Sequence, residues 1–223
     1  MPGKPTGNQL TASVRKTYRK KKRMTRLPKK QYLAIQSLIN KNINKRAEKK
    51  HFLTYNTGYT VDYAGTIQSL SDIGQGDTDT TRDGDSLYLR SLRVKGSVLI
   101  ADSTNAVRLI VFQWHADSSD DTATVSDILS SSAIGTTVAP FSSYYHDKRR
   151  LYSILYDRTF NTTTEMSQLL FDTGYLRPKV RKVNYVNATS VGVNKVFILA
   201  ISDSAAALHP TVRYWNRLTF NDM

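Results

Sequence analysis

The charge of this chain is segregated rather than mixed. Residues 1–50 hold 16 Lys and Arg against one acid, Glu48, whereas residues 51–223 hold 16 Lys and Arg against 17 Asp and Glu. The net charge of +14 therefore resides in the first quarter of the chain, as a basic tail on a nearly neutral body. A segment so dense in like charge repels itself and has little apolar surface to bury, so it cannot found a core. Folding is left to the remainder, which is long enough for one substantial core.

Residues 1–28 are expected to form a disordered arm, interrupted by Pro2, Gly3, Pro5, Gly7 and Pro28. Its candidate nucleic-acid contacts are Arg15, Lys16, Arg19, Lys20, Lys21, Lys22, Arg23 and Arg26, continued by Lys29 and Lys30. A polyanion is the natural partner, because each Lys or Arg that meets a phosphate releases condensed counterions with little dependence on base sequence. The run also fits a nuclear-localisation signal read by import machinery, although its charge exceeds what import needs. Membrane-surface binding fits less well, since the densest part lacks an apolar helical face.

The segment 29–50 is expected to carry an amphipathic arm helix. Leu33, Ile35, Leu38, Ile39 and Ile43 recur at helical spacing, with Lys30, Lys41, Lys45 and Arg46 mainly elsewhere on the wheel and Pro28 at the start. Short helices are marginal alone in water. Leu38, Ile39 and Ile43 should therefore pack either on the body or on the same helix of neighbouring copies, where they would act as an assembly helix.

Residues 51–223 read as an all-β sandwich. Strands are expected at 52–59, 65–70, 87–100, 107–114, 151–158, 180–187, 195–202 and 212–220, and without alternating helices they argue for antiparallel sheets. Leu92, Val94, Gly96, Val98 and Ile100 alternate with Arg93, Lys95 and Ser97, the mark of one buried and one wet face. Leu109-Ile110-Val111-Phe112 and Val196-Phe197-Ile198-Leu199 are apolar on both faces and should be central strands covered on both sides. Thr124 with Asp127 suggests a short capped helix, and 116–150 and 159–179 read as long loops with a binding or assembly purpose.

Chemistry is sparse. The absence of cysteine excludes disulfides and thiolate metal sites. No apolar run reaches the roughly 20 residues of a membrane span, and no secretory signal is evident, so no membrane insertion is expected and the sequons at Asn161 and Asn187 read as accidental. His51, His115, His146 and His209 are scattered, and no phosphate-binding Gly motif occurs, so no enzymatic activity is expected. Asp77, Asp79, Asp83 and Asp85 are weak candidates for a structural calcium ion; the competing reading is a polar turn with Arg82 paired to a neighbouring Asp. Asp117, Asp120 and Asp121 form a second acidic loop. Lys148-Arg149-Arg150 and Arg177, Lys179, Arg181 and Lys182 are further basic groups. Arg213 and Arg217 share a face with Trp215, a pattern suited either to stacking on an unpaired base or to a subunit contact.

The stretch Ala64-Gly65-Thr66-Ile67-Gln68-Ser69-Leu70-Ser71, then Gln75-Gly76-Asp77 and Arg82-Asp83-Gly84-Asp85, leads into the strand at 87–100. It resembles the capsid proteins of satellite necrosis viruses and of circular Rep-encoding single-stranded DNA viruses, where a Gly-rich turn and an Arg-x-Gly-Asp segment precede a long strand. The resemblance covers most of 30–220, is locally specific at 64–96, and departs in the basic extension before Met24 and the loop 176–182. It implies an eight-stranded antiparallel jelly-roll shell domain. It also implies a capsid subunit that self-assembles into a closed icosahedral (T=1) shell of about 60 copies. About 60 arms of roughly 15 charges supply on the order of 900, enough for a single-stranded genome of order one kilobase. The Lys/Arg run suits nuclear entry, which favours DNA over RNA. The chain is then expected in the virion, and in the host nucleus for DNA or the cytoplasm for RNA. The competing reading is a cellular single-stranded nucleic-acid-binding β-sandwich protein with a basic tail.

Overall fold

The computed structural model describes residues 28–46, 48–115 and 122–222. The chain divides between Ala47 and Glu48 into two units. In the first, helix α1 spans Lys29–Arg46. The Pro28 carbonyl starts it, accepting from the Gln31 and Tyr32 N–H groups at 2.8 and 3.0 Å. Tyr32, Leu33, Ile35 and Leu38 are exposed on this helix.

The second unit contains β1 (Lys50–Thr60), β2 (Thr66–Ser69), β3 (Ser86–Leu99), β4 (Thr104–Trp114), β5 (Tyr152–Thr163), β6 (Gln168–Asp172), β7 (Lys182–Tyr185), β8 (Gly192–Val193), β9 (Val196–Ser202) and β10 (Thr211–Asp222). A short helix α2 (Val125–Ile128) and a single 3-10 turn (Ala139–Phe141) lie between β4 and β5. One sheet runs β1-β10-β3, with β3 paired to β6 at one end and to the β7-β8 hairpin at the other; the second runs β2-β9-β4-β5. All these strand pairs are antiparallel. Apart from β4 to β5 and the run β6 to β8, successive strands alternate between sheets, and this winding is the double Greek key of a jelly roll.

The pattern follows from where apolar groups fall. Leu92, Val94 and Val98 of β3 and Val212, Leu218 and Phe220 of β10 meet Leu109 and Val111 of β4 and Ile198 of β9 in the core between the sheets. The opposite face of β4 and β9 carries Ile110, Phe112, Leu199 and Ile201, covered by Ile128, Leu129 and Ala139 of the β4–β5 connection. That second cluster is why both strands are apolar on both faces. Gly96 sits where β3 approaches its neighbours: a Cβ there would lie 2.0 Å from the Arg213 carbonyl oxygen and 2.8 Å from the Phe171 ring.

Three details differ from the sequence expectation. Strand β6 lies inside the expected loop 159–179 and completes the jelly-roll sheet in place of 180–187, which shortens to β7 and pairs with β8 as an additional hairpin. Leu169 and Phe171 of β6 face the core and alternate with exposed Gln168, Leu170 and Asp172, but three consecutive apolar residues, Leu169-Leu170-Phe171, hide that alternation in the sequence. Finally, Lys50 opens β1 rather than ending the helical segment 29–50; it is buried between Asp83 at 2.6 Å and Asp222 at 2.9 Å.

Candidate nucleic-acid interface

Arg15, Lys16, Arg19, Lys20, Lys21, Lys22, Arg23 and Arg26 lie outside the described residues. So do Asp117, Asp120 and Asp121. Lys29 and Lys30 form the first turn of α1, where Lys30 is exposed. Leu38 is exposed, and Ile39 and Ile43 belong to the same helix, though their side chains fall outside the description.

The acidic turn is organised around a cation that the chain itself supplies. Arg82 is fully buried and donates to the carbonyls of Ile73 (3.1 Å), Gly84 (2.5 Å), Asn187 (2.5 Å) and Thr189 (2.9 Å) and to the Asp85 carboxylate (3.2 Å). Its guanidinium lies 4.4 Å from the centre of the Tyr185 ring. Asp83 is engaged by Lys50. Among the described residues no three acidic or histidine side chains gather closely enough to hold a metal ion.

The two basic groups of the body meet in part. Arg149, Arg150 and Lys179 meet around a hollow of about 550 Å³ with Tyr144 and His146. Lys148 pairs with Asp127, and Arg181 donates to the Tyr88 hydroxyl at 3.1 Å. Nearby, Arg108 grips Asp157 with two bonds of 2.8 and 2.7 Å and donates to the Ser142 carbonyl at 2.6 Å, fastening the β4–β5 connection to the sheet. Burial works against the Asp157 carboxylate, but the hydrogen bonds from Arg108 and Tyr144 hold its pKa below the usual range.

His115 contacts Ser153 at 2.8 Å and Asn194 at 3.1 Å, an arrangement reminiscent of a nucleophile and its base. Ser153 is a buried residue of the β4–β5 ladder, so the contact ties strand ends together.

On the outer face of the first sheet, Arg213, Trp215 and Arg217 of β10 are exposed and alternate with buried Val212, Tyr214, Asn216 and Leu218. Strand register sets Trp215 between Tyr55 of β1 and Lys95 of β3, and Arg217 between Leu53 and Arg93. Arg93 lies 5.0 Å from the Tyr175 ring centre and makes a two-point pair with Asp172 at 2.9 and 2.5 Å. That pair, helped by the Gly174 N–H, drives the Asp172 pKa far below the ordinary carboxylate value. Sequence reasoning picked out the three β10 residues but not Tyr55 or Tyr175, and it saw Arg93 and Lys95 only as the wet face of a strand. Cross-strand register, which joins them, has no local signal.

Residues 17–223 match the family model for the satellite tobacco necrosis virus coat protein. The chain belongs to that family. It is a viral capsid protein, and its place is the virion. A capsid protein of Satellite tobacco necrosis virus 1 is 30% identical over 187 residues, covering 78% of this chain and 88% of the relative. Among solved structures, a protein of tobacco necrosis virus superimposes with a TM-score of 0.36 at 12% identity, covering 78% of this chain and 94% of the other. One of Desmodium yellow mottle tymovirus gives 0.34 at 8% identity, covering 79% and 87%. The jelly-roll assignment of this coat-family chain rests on its strand order.

Proposed function

We propose that the protein self-assembles into a closed icosahedral (T=1) shell of about 60 identical copies and packages a single-stranded genome through its basic N-terminal arm. The observation that carries this reading is the segregation of charge in a coat-family chain: 14 Lys and Arg and no acid in residues 1–47 precede a self-contained β-sandwich unit, 48–223, in which 18 Lys and Arg meet 18 Asp and Glu. A neutral body suits like copies packing side by side, since it adds little mutual repulsion. The tail, with Arg15 to Arg26 at its centre and Lys29 and Lys30 after it, suits sequence-independent neutralisation of phosphates.

Deleting residues 1–26 tests the reading. Electron microscopy should find particles empty or poor in nucleic acid, while circular dichroism reports an unchanged sandwich. The slope of log affinity against log salt should become much shallower, because fewer counterions are released. Undiminished packaging by the truncated chain overturns the role given to the arm. A chain that stays monomeric at every salt concentration, with or without nucleic acid, overturns the shell. Nuclease digestion of material extracted from particles identifies the genome as DNA or RNA, and with it whether the arm also serves nuclear import.

A further inference from the structure

We infer that the outer face of the sheet β1-β10-β3-β6 is a second binding surface for single-stranded nucleic acid, on which unpaired bases stack against Trp215 while flanking cations hold the phosphates. This goes beyond the arm-based reading and needs no residue of the arm. Trp215 is 64% exposed and Tyr55 68%, with ring centres 5.8 Å apart and planes 31° from parallel. Isolated exposed aromatics are ordinary, but here two neighbouring rings share a face with Arg93, Lys95, Arg213 and Arg217.

Hollows of about 380 and 390 Å³ flank the indole, and Lys95 and Trp215 line both. Each is within the size range of small-ligand sites, roughly 300–1,000 Å³, and each offers an apolar wall beside a cation. Arg217 and Arg93 border the first, and Arg213 borders the second.

Charge complementarity selects the occupant. Among the described residues, the carboxylate paired with these four cations is Asp172, bound by Arg93 and 3.5 Å from Lys95. Arg213 and Arg217 enter no ion pair with any described residue. A polyanion with flat apolar groups meets both requirements, and unpaired nucleotides are that ligand, because every base has a π-face whatever its identity. Duplex nucleic acid hides those faces and should bind here less well.

The test uses the full chain and a short oligothymidylate at about 0.5 M salt, where attraction between the arm and phosphate is strongly screened. The protein has two tryptophans, and Trp114 is buried, so quenching on titration reports mainly Trp215. Wild type should quench and bind. Trp215→Ala should lose most of the quench and roughly tenfold in affinity, with Trp215→Phe between the two. The residue is exposed, so both variants should fold, which circular dichroism checks. Arg213→Gln with Arg217→Gln should weaken binding and lower the salt slope.

Equal affinity in wild type and Trp215→Ala, or binding without quenching, overturns the proposal while leaving arm-mediated packaging intact. Loss of assembly in Trp215→Ala with unchanged affinity makes the face a contact between copies and also overturns it. Quenching and selective loss in a chain that never assembles would instead uphold the surface and remove the shell.

Discussion

Arg82 shows how a motif can look like a ligand site and act as a clamp. Its five donors all find acceptors, joining the segment 73–85 to the turn after β7. Replacing it by Met strands buried carbonyls and leaves the ring of Tyr185 without its cation. The expected loss is about 3 kcal/mol, a fall in unfolding midpoint of roughly 10 °C for a domain this size. Arg82→Lys should rescue little, because an ammonium cannot reach acceptors spread around a planar fork. Calorimetry decides, and a loss below about 1 kcal/mol would show that water replaces the clamp.

Asp157 belongs to the same scale. Because its pKa is depressed in the folded state, its pairing with Arg108 stabilises fully above about pH 4, the unfolded value. That contribution disappears as pH falls through the folded value. Asp157→Asn should therefore lower stability at about pH 7 and flatten the decline toward about pH 3, read from denaturant midpoints. An unchanged slope would mean that Asp127 and Asp172, also depressed, carry the acid response.

Among the elements, α1 has the most to gain from a partner. It exposes Tyr32, Leu33, Ile35 and Leu38, and its first turn places Lys29 and Lys30 at the positive end of the helix dipole. Eighteen residues with such an N-terminus are marginal without packing. We expect replacement of Leu38, Ile39 and Ile43 by Gln to spare the β-sheet signal and to weaken particle formation. The effect should be largest at high salt, where screened arm–genome attraction leaves more of the association to apolar contacts. Normal assembly of the triple variant at every salt concentration refutes an assembly role. Loss of the sheet signal would place these side chains in the folding core instead.

At the scale of the whole molecule, the two proposed binding modes would complement each other. In the proposed function the arm's share of binding is phosphate neutralisation by charge and counterion release, which weakens steeply with salt. The Trp215 face adds stacking, which survives salt better because it depends on contact area and not on long-range fields. A variant lacking residues 1–26 should thus keep a weak, salt-tolerant affinity for single strands, and adding Trp215→Ala should remove it. Filter binding over a salt series separates the two contributions.

The sequence by itself determined the division into a charged tail and a neutral body, the 3.6-residue period of α1, and seven of the jelly roll's eight strands. These are local signals: charge density, periodicity, and the doubly apolar runs at 109–112 and 196–199. It also pointed to Thr124 and Asp127, whose carboxylate accepts from the Thr124 N–H at 2.8 Å. Only the tertiary structure decided that β6 is a strand, because pairing with β3 turns Leu169 and Phe171 inward and Leu170 outward, a choice that three consecutive apolar residues do not make by themselves. Only it brought Arg149 and Arg150 to Lys179, and Tyr55, Lys95 and Trp215 into one row. The reason is the same in each case: which strands neighbour each other, and in what register, is set by burial summed over two whole sheets, and that sum is written in no single segment.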